Sequence, residues 1–220
     1  WASGLLTMLA TLKGERVETT GCAGSCLIGS GRMVYDQART SRILKTALLK
    51  LFRPIFLAIL DHEITLLKGR CKRYTVTEGM DVTPAVRFNG TSDERWERIA
   101  RDLMRAHPTV SFYDYTKAPL SARFEALRIP NYHLTFSIAS IASEDLAKAS
   151  QWQQHGVNVA MVVRSKDQVL RALEIGSLFG RPVLDGDASD ARPLDPAVGG
   201  WVLLYAKGAY DESDPFIVDL

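Results

Sequence analysis

The sequence predicts one α/β domain built on a mainly parallel sheet of five or six strands. Short β-prone runs recur between residues 85 and 205, and the first five begin 22 to 25 residues apart. The segments between them carry helical patterns, and strands that alternate with helices are typical of a parallel sheet. We expect either a partial (β/α) barrel or an open doubly wound sheet, preceded by an N-terminal helical pair.

The individual elements follow from local patterns. The strand-like runs are Ala85–Asn89, Val110–Asp114, Tyr132–Ile138, Val157–Val163, Pro182–Asp185 and Trp201–Tyr205. The helical patterns between them, with apolar residues at helical spacing, are Asp93–Ala106, Ser121–Leu127, Ser143–His155 and Lys166–Phe179. Asp185–Gly200 has no helical stripe and is rich in Asp, Gly and Pro, which predicts a long loop.

Two further helices are predicted before the first strand. Gly31–Phe52 combines a roughly helical apolar stripe with basic positions. Pro54 suits the first turn of a second helix, Pro54–Leu67. The glycine and the basic residues of Lys68–Arg73 are typical of a helix C-terminus, so we expect the second helix to stop there.

The charge of the chain is unevenly distributed, although its formal net charge is only +2. Residues 1–73 carry twelve Lys or Arg and five Asp or Glu. Residues 182–220 carry only two Lys or Arg but eight Asp or Glu. We therefore divide the predicted single domain, 1–220, into a basic helical part, 1–73, and the β/α repeats of 74–220. The basic part permits contact with an anionic ligand or with nucleic acid. Charges that are simply solvated, or that complement each other, are the alternative explanation.

Several classes of protein find no support in the sequence. No apolar run approaches the ~20 residues that span a bilayer, so no membrane partner is expected. Three cysteines, an odd number, argue against a secreted disulfide scaffold and favour a reducing cytoplasm. No HExxH, P-loop or GxGxxG motif occurs, which gives no support to zinc proteases, P-loop NTPases or standard dinucleotide-binding folds.

Candidate catalytic residues lie where the predicted strands end. Side chains at the carboxyl ends of parallel strands point toward the edge at which α/β folds bind ligands. The candidates at these positions are Asn89, Asp93, Asp114, Lys117 and Arg164. Asp114 and Lys117 suit an acid–base pair or a phosphate site, and they suit a turn equally well. We expect Asn89 to face a pocket that it shares with Asp114, Lys117, Arg164 and Asp185.

The residues after Asn89 have a structural explanation as well. Thr91, Ser92 and Glu94 fit a capping box at the start of the following helix, and Asp93 suits the positive end of the helix dipole. We therefore expect Thr91, Ser92 and Glu94 chiefly to start the helix.

Two stretches suggest metal or cofactor binding. Asp185, Asp187 and Asp190 lie within six residues after a strand, and three carboxylates suit a hard cation such as Mg²⁺. Cys22 and Cys26 form a C-x₃-C pair that suits an iron–sulfur cluster or zinc, provided that the fold supplies further ligands. On ligand count we favour the aspartates. An acidic loop exposed to water is the alternative.

Four stretches together resemble a family of bacteriophage and prophage proteins that includes a domain of unknown function. In order, they are Cys22–Arg32 (C-x₃-C-L-x₃-G-R), Ala38–Arg42, Arg87–Asp93 (R-F-N-G-T-S-D) and Pro182–Asp187 (P-V-L-D-G-D), the last continued by Arg192 and Asp195. The resemblance extends from about Thr20 to Lys207. It implies a protein of the host-cell cytoplasm and carries no established activity.

Two functions remain open from the sequence. The first is an enzyme with a polar or metal-assisted site at the carboxyl ends of the strands, favoured by the many polar groups there. The second is a non-catalytic phage binding or structural protein that contacts nucleic acid or protein through its basic N-terminal helix. A basic face of Arg39, Arg42, Lys45 and Arg53 would favour the second function.

Overall fold

The computed structural model describes residues 35–90, 92–207 and 213–220. Within these ranges the chain forms seven α-helices and one eight-stranded sheet. The helices are α1 Asp36–Leu51, α2 Arg53–Glu78, α3 Trp96–Ile99, α4 Arg101–Ala106, α5 Leu120–Arg123, α6 Ser143–Gln154 and α7 Lys166–Ile175. The strands are β1 Ala85–Arg87, β2 Ser111–Thr116, β3 Tyr132–Ser137, β4 Val159–Val163, β5 Ser177–Leu178, β6 Arg181–Asp185, β7 Trp201–Tyr205 and β8 Ile217–Val218.

The sheet has the strand order β1-β2-β3-β4-β7-β6-β5, and β8 pairs with the second half of β4. Every pairing is parallel except that of the β5–β6 hairpin. The described strands leave β1 and β5 as edges, so the sheet is open and a partial barrel is not supported. The predicted α/β class, the mainly parallel sheet and the N-terminal helical pair are confirmed.

The direction of the chain decides which face of the sheet the helices cover. From β1 to β4 the chain advances across the sheet in one direction, and right-handed crossovers therefore place the connecting helices on one face. On β2 the buried side chains alternate with half-buried ones, and the buried set is Phe112, Asp114 and Thr116. Burial of Asp114 and Thr116 beside an aromatic core residue is the first structural sign of a polar site.

The helical pair α1–α2 packs against the region around α3 and α4. Leu49 and Ile64 belong to the same hydrophobic core as the sheet, and Phe56 stacks on Trp96 with ring centroids 6.2 Å apart. Asp61 lies 2.7 Å from Nε2 of His107. No helix in the described ranges combines the length and the apolar character that a membrane span requires.

The second helix is longer than the sequence predicted. It begins at Arg53 and continues through the expected stop to Glu78, where Gly79 ends it with a φ of +64°. A glycine inside a helix costs only about 1 kcal/mol, so Gly69 does not end it. Thr75 and Thr77 continue the helix and bond back to the carbonyl oxygens of Cys71 and Arg73.

Three other predicted helices differ from those observed. The expected helix Asp93–Ala106 begins only at Trp96, because the side chain of Asn89 holds the preceding residues in a loop. It also breaks at Ala100, between α3 and α4. The expected helix Ser121–Leu127 is the single turn α5 followed by a 3₁₀ turn, Phe124–Arg128. The expected helix Lys166–Phe179 ends at Gly176, whose φ of +77° leads into the hairpin.

The long loop Asp185–Gly200 is confirmed, with one 3₁₀ turn at Arg192–Leu194 that packs against β2 and β3. Gly186 begins this loop at a close approach of the backbone. A Cβ atom there would lie 2.6 Å from the carbonyl oxygen of Leu203, so only glycine fits.

Candidate functional site

Asn89 holds the loop that follows β1. Its Oδ1 accepts hydrogen bonds from Ser92 Oγ at 2.8 Å, from the Glu94 backbone N–H at 3.0 Å and from Trp96 Nε1 at 3.0 Å. Its Nδ2 donates to the carbonyl oxygen of Glu94, and its backbone N–H donates to Oδ1 of Asp114. Asn89 is buried, so its amide serves the loop rather than an open pocket. The helix α3 has no side-chain cap, and Ser92 and Glu94 bond to Asn89 instead of starting it, while Thr91 lies outside the described residues.

Asp114 is a fully buried carboxyl group in the middle of β2. The hydroxyl of Tyr132 donates to its Oδ2 at 2.8 Å. Burial raises the pKa of Asp114 from its ordinary value of 3.8 to about 7, although the hydrogen bonds from Asn89 and Tyr132 oppose this rise. Asp114 therefore titrates near neutral pH.

Arg123 joins the polar side chains beneath the strand ends. Its Nε lies 2.8 Å from Oε1 of Glu97, and neither side chain is exposed to solvent. Its Nη1 donates to Oδ1 of Asp93 at 2.6 Å and to Thr116 Oγ1 at 3.2 Å, while Nη2 donates to the Tyr132 hydroxyl at 3.1 Å. We call the following set the polar network: Asp93, Glu97, Asp114, Thr116, Arg123 and Tyr132.

Asp93 is the member of the polar network that lies at the protein surface. Its side chain is 35% exposed, while its Oδ1 contacts the buried guanidinium of Arg123. Its Oδ2 accepts hydrogen bonds from Thr116 Oγ1 at 3.0 Å and from the backbone N–H of Lys117 at 2.9 Å. Asp93 thus fixes the backbone at the point where β2 ends and Lys117 begins the loop.

Lys117 reaches from the end of β2 to the end of β3. Its Nζ donates to Ser137 Oγ at 3.2 Å and to the carbonyl oxygens of Ser137 and Ile138 at 3.3 Å. The same ammonium lies 4.3 Å from the ring centroid of Phe216. We call Asp93, Lys117 and Ser137 the strand-end site.

The structure brings together four of the five candidate catalytic residues, and Arg164 forms contacts elsewhere. Its Nε lies 3.4 Å from Oδ2 of Asp219, and its backbone N–H bonds to Val218 and to Gln168. The four that meet are linked through the Asn89–Asp114 bond, the Asp93–Lys117 bond and the polar network.

Two of the three aspartates of the predicted Mg²⁺ site, Asp185 and Asp187, accept hydrogen bonds from the protein itself. Asp185 Oδ1 accepts from the backbone N–H of Asp187 at 2.9 Å. Asp187 in turn accepts from the backbone N–H of Tyr205 and lies 2.6 Å from Nζ of Lys207. The described residues, Asp190 among them, contain no group of three or more His, Cys, Asp or Glu side chains that suits a metal ion. The expected Mg²⁺ site is therefore not supported.

The C-x₃-C pair lies outside the described residues. Cys22 and Cys26 precede residue 35, so an iron–sulfur cluster or zinc at these cysteines stays a prediction.

A second polar group lies around β2 and the loop that follows β6. Arg192 is buried, donates to the carbonyl oxygen of Gly186 and lies 3.1 Å from Oδ2 of Asp195. These contacts of Arg192 and Asp195 hold the long loop in its fold. On the neighbouring strands, the guanidinium of Arg87 lies 4.8 Å from the ring centroid of Tyr115, and burial raises the pKa of that tyrosine.

Sequence reasoning missed the buried members of the polar network. Arg123 and Tyr132 gave no local signal, because their partners lie 7 to 30 residues away in sequence. Glu97 did give a signal, since it shares helical spacing with the buried Ala100 and Met104. A charged residue on an apolar face is seldom buried without a partner, so this position predicts a buried cation nearby.

Comparison with known proteins supports the phage-type resemblance. A family model described as gene product 88 matches residues 13–218. No curated protein and no solved structure matches the chain. The family model covers nearly all of the 220 residues and includes both the polar network and the strand-end site. The chain therefore belongs to the gene product 88 family, a phage-type family.

Proposed function

We propose that this chain is an enzyme that acts on a small polar substrate at the strand-end site, by acid–base chemistry. The observation that carries the proposal is the contact between Lys117 Nζ and Ser137 Oγ at 3.2 Å, at the carboxyl ends of adjacent parallel strands. Ligands of open α/β sheets bind outside the carboxyl ends of the strands, although β2 and β3 do not flank the point where the strand order reverses.

Lys117 is suited to be the charged group of the reaction. Its three hydrogen bonds to Ser137 and Ile138 measure 3.2 to 3.3 Å, which is the long end of the range for N–H···O bonds. A substrate oxygen can replace the weaker of these acceptors at little cost. Lys117 would then donate a proton to the substrate or stabilise negative charge that develops on it. Ser137 would supply a second hydrogen bond.

Asp93 is a positioning residue for Lys117, because its carboxylate accepts the backbone N–H of Lys117. The buried cation Arg123 holds Asp93 from below, and Glu97 holds Arg123. Reactive groups need such support, since small displacements reduce catalysis strongly. Asp114, with its pKa of about 7, also favours a functional role for this region, because shifted titratable groups cluster at active sites.

A metabolite-depletion experiment tests the proposal. Purified protein is incubated with a bacterial metabolite extract, and untargeted mass spectrometry records which compounds are consumed. We expect consumption by the wild-type chain and by Lys148→Met, a control that removes a half-buried lysine of α6 paired with Glu144 and Asp145. We expect none by Lys117→Met, and a reduced rate for Ser137→Ala. Circular dichroism shows whether each variant is folded.

The second candidate function is nucleic-acid binding by the helical pair. The favouring observation is charge, because residues 36–78 carry nine Lys or Arg and four Asp or Glu. Of the expected basic face, Lys45 and Arg53 are exposed, whereas Arg39 and Arg42 are half-buried. Fluorescence anisotropy with labelled DNA at several salt concentrations tests this function. A contact through several phosphates gives an affinity that falls steeply as salt rises.

A further inference from the structure

A cleft opens beside the strand-end site, between the start of α2 and the loop before α3. Its volume is about 440 Å³, within the range of small-molecule sites in proteins. The residues that line it are Arg53, Asp93, Glu94, Arg95, Arg98 and Ile99.

The carboxylates of the cleft contact cations that do not line it, although Asp93 shares Arg123 with the buried Glu97. Asp93 Oδ1 lies 2.6 Å from Nη1 of the buried Arg123. Glu94 Oε1 lies 2.7 Å from Nζ of Lys50. Lys50 therefore compensates Glu94, and Arg123 compensates Asp93 in part, so the three arginines of the cleft outnumber its uncompensated carboxylates.

The guanidinium groups of the cleft are not neutralised in the same way. Within the described residues, the side chains of Arg53 and Arg95 form no ion pair and no hydrogen bond. Arg98 lies 3.7 Å from Oε2 of Glu125, which Arg101 approaches more closely, at 3.0 Å. Three arginines with little internal compensation give the cleft a positive potential.

We propose that this cleft binds a small phosphate-bearing molecule. Guanidinium groups match phosphate oxygens in a two-point geometry and remain charged at any physiological pH. The volume exceeds what a single phosphate needs, and Ile99 offers an apolar wall to the rest of such a ligand. The site does not depend on the proposed reaction, although Asp93 belongs to both.

Titration calorimetry with inorganic pyrophosphate and with ATP, both without added metal, tests this site. We expect binding by the wild-type chain, and an affinity that falls about tenfold or more for each arginine removed in Arg53→Ala and Arg95→Ala. Arg171→Ala is the matched control, because this arginine lies exposed on α7, away from the cleft. It should bind both ligands as the wild-type chain does.

Two results would overturn the proposal. One is the absence of heat with both ligands, or an equal loss of affinity in Arg171→Ala. The other is binding of a 20-nucleotide DNA strand that depends on Arg53 and Arg95 and that neither pyrophosphate nor ATP displaces, which would assign the arginines to nucleic acid. The metabolite experiment is read separately, since it compares variants of Lys117 and Ser137 with intact cleft arginines.

Discussion

Arg123 and Glu97 form an ion pair in which neither side chain is exposed to solvent, with Nε 2.8 Å from Oε1. Burial of two charges costs several kcal/mol per ion, and a close pair offsets this cost only when further hydrogen bonds complete it. Arg123 has these additional partners in Asp93, Thr116 and Tyr132. The pair therefore serves to fix Asp93, and through Asp93 it fixes Lys117.

Arg123→Met should destabilise the chain by about 3–5 kcal/mol, because it leaves Glu97 as a buried carboxylate without a cation. Glu97→Gln should cost less, about 1–2 kcal/mol, since Arg123 keeps its contact with Asp93. Urea unfolding followed by circular dichroism measures both. If both variants lost the same free energy of unfolding, the result would show that Arg123 does not compensate the charge of Glu97.

Asp114 should make the stability depend on pH. Its pKa is about 7 in the folded chain and near 3.8 when unfolded, so between these values the folded state binds the extra proton. The stabilisation that this proton binding gives to the folded state is complete below about pH 4. It is lost as the pH rises toward about 7 and changes no further above that. Asp114→Asn removes this dependence. As the pH rises from about 4 to 7, the free energy of unfolding of the variant should therefore increase by a few kcal/mol relative to that of the wild-type chain. Urea unfolding from pH 4.5 to 8 measures it, and parallel curves would refute the burial effect.

Asn89→Ala should destabilise the chain by about 2–4 kcal/mol, because it leaves the half-buried backbone N–H of Glu94 and the buried indole N–H of Trp96 without an acceptor. Ser92→Ala is the matched control, since it removes one donor and leaves the amide in place. The control should cost about 1 kcal/mol or less. Hydrogen exchange of the loop amides adds a local measurement, in which only the Asn89 variant should lose protection. Similar protection in both would contradict a central role for Asn89.

Asp185→Asn with Asp187→Asn should leave the response to Mg²⁺ unchanged. Asp187 already bonds to Tyr205 and Lys207, so its carboxylate is not available as a ligand without the loss of these contacts. Calorimetric titration of Mg²⁺, with and without a nucleotide, measures the response. Binding in the wild-type chain that disappears in the double variant would restore the aspartate site.

The fold was accessible from the sequence because its signals are local. Each long strand overlaps a short β-prone run of the sequence, and the spacing of the first five runs leaves room for one helix and two loops. The β8 strand, Ile217–Val218, was missed because two residues carry no periodic signal and its position depends on pairing with Val162 and Val163. The length of α2 was missed because a glycine among basic residues resembles a helix end.

The site was accessible only in part, for a physical reason. Asp93 and Lys117 follow predicted strands, and the rule for strand ends identifies them, whereas Asp114 was predicted at a strand end and lies inside β2, which continues to Thr116. Arg123 and Tyr132 reach the site through long-range contacts that no local pattern encodes. The aspartates looked like metal ligands because their spacing is close, but hydrogen bonds to the backbone orient them separately.

The rate at which the Lys117 variant consumes the metabolite identified with the wild-type chain tests the central claim most directly. A general acid or a fixed cation at the reacting group contributes roughly 10²–10⁴-fold. We therefore predict that Lys117→Met, folded as shown by circular dichroism, lowers the rate at least about 100-fold, whereas Lys148→Met stays within about twofold. Equal rates for Lys117→Met and the wild-type chain, or no metabolite consumed by the wild-type chain, would contradict an enzyme at the strand-end site.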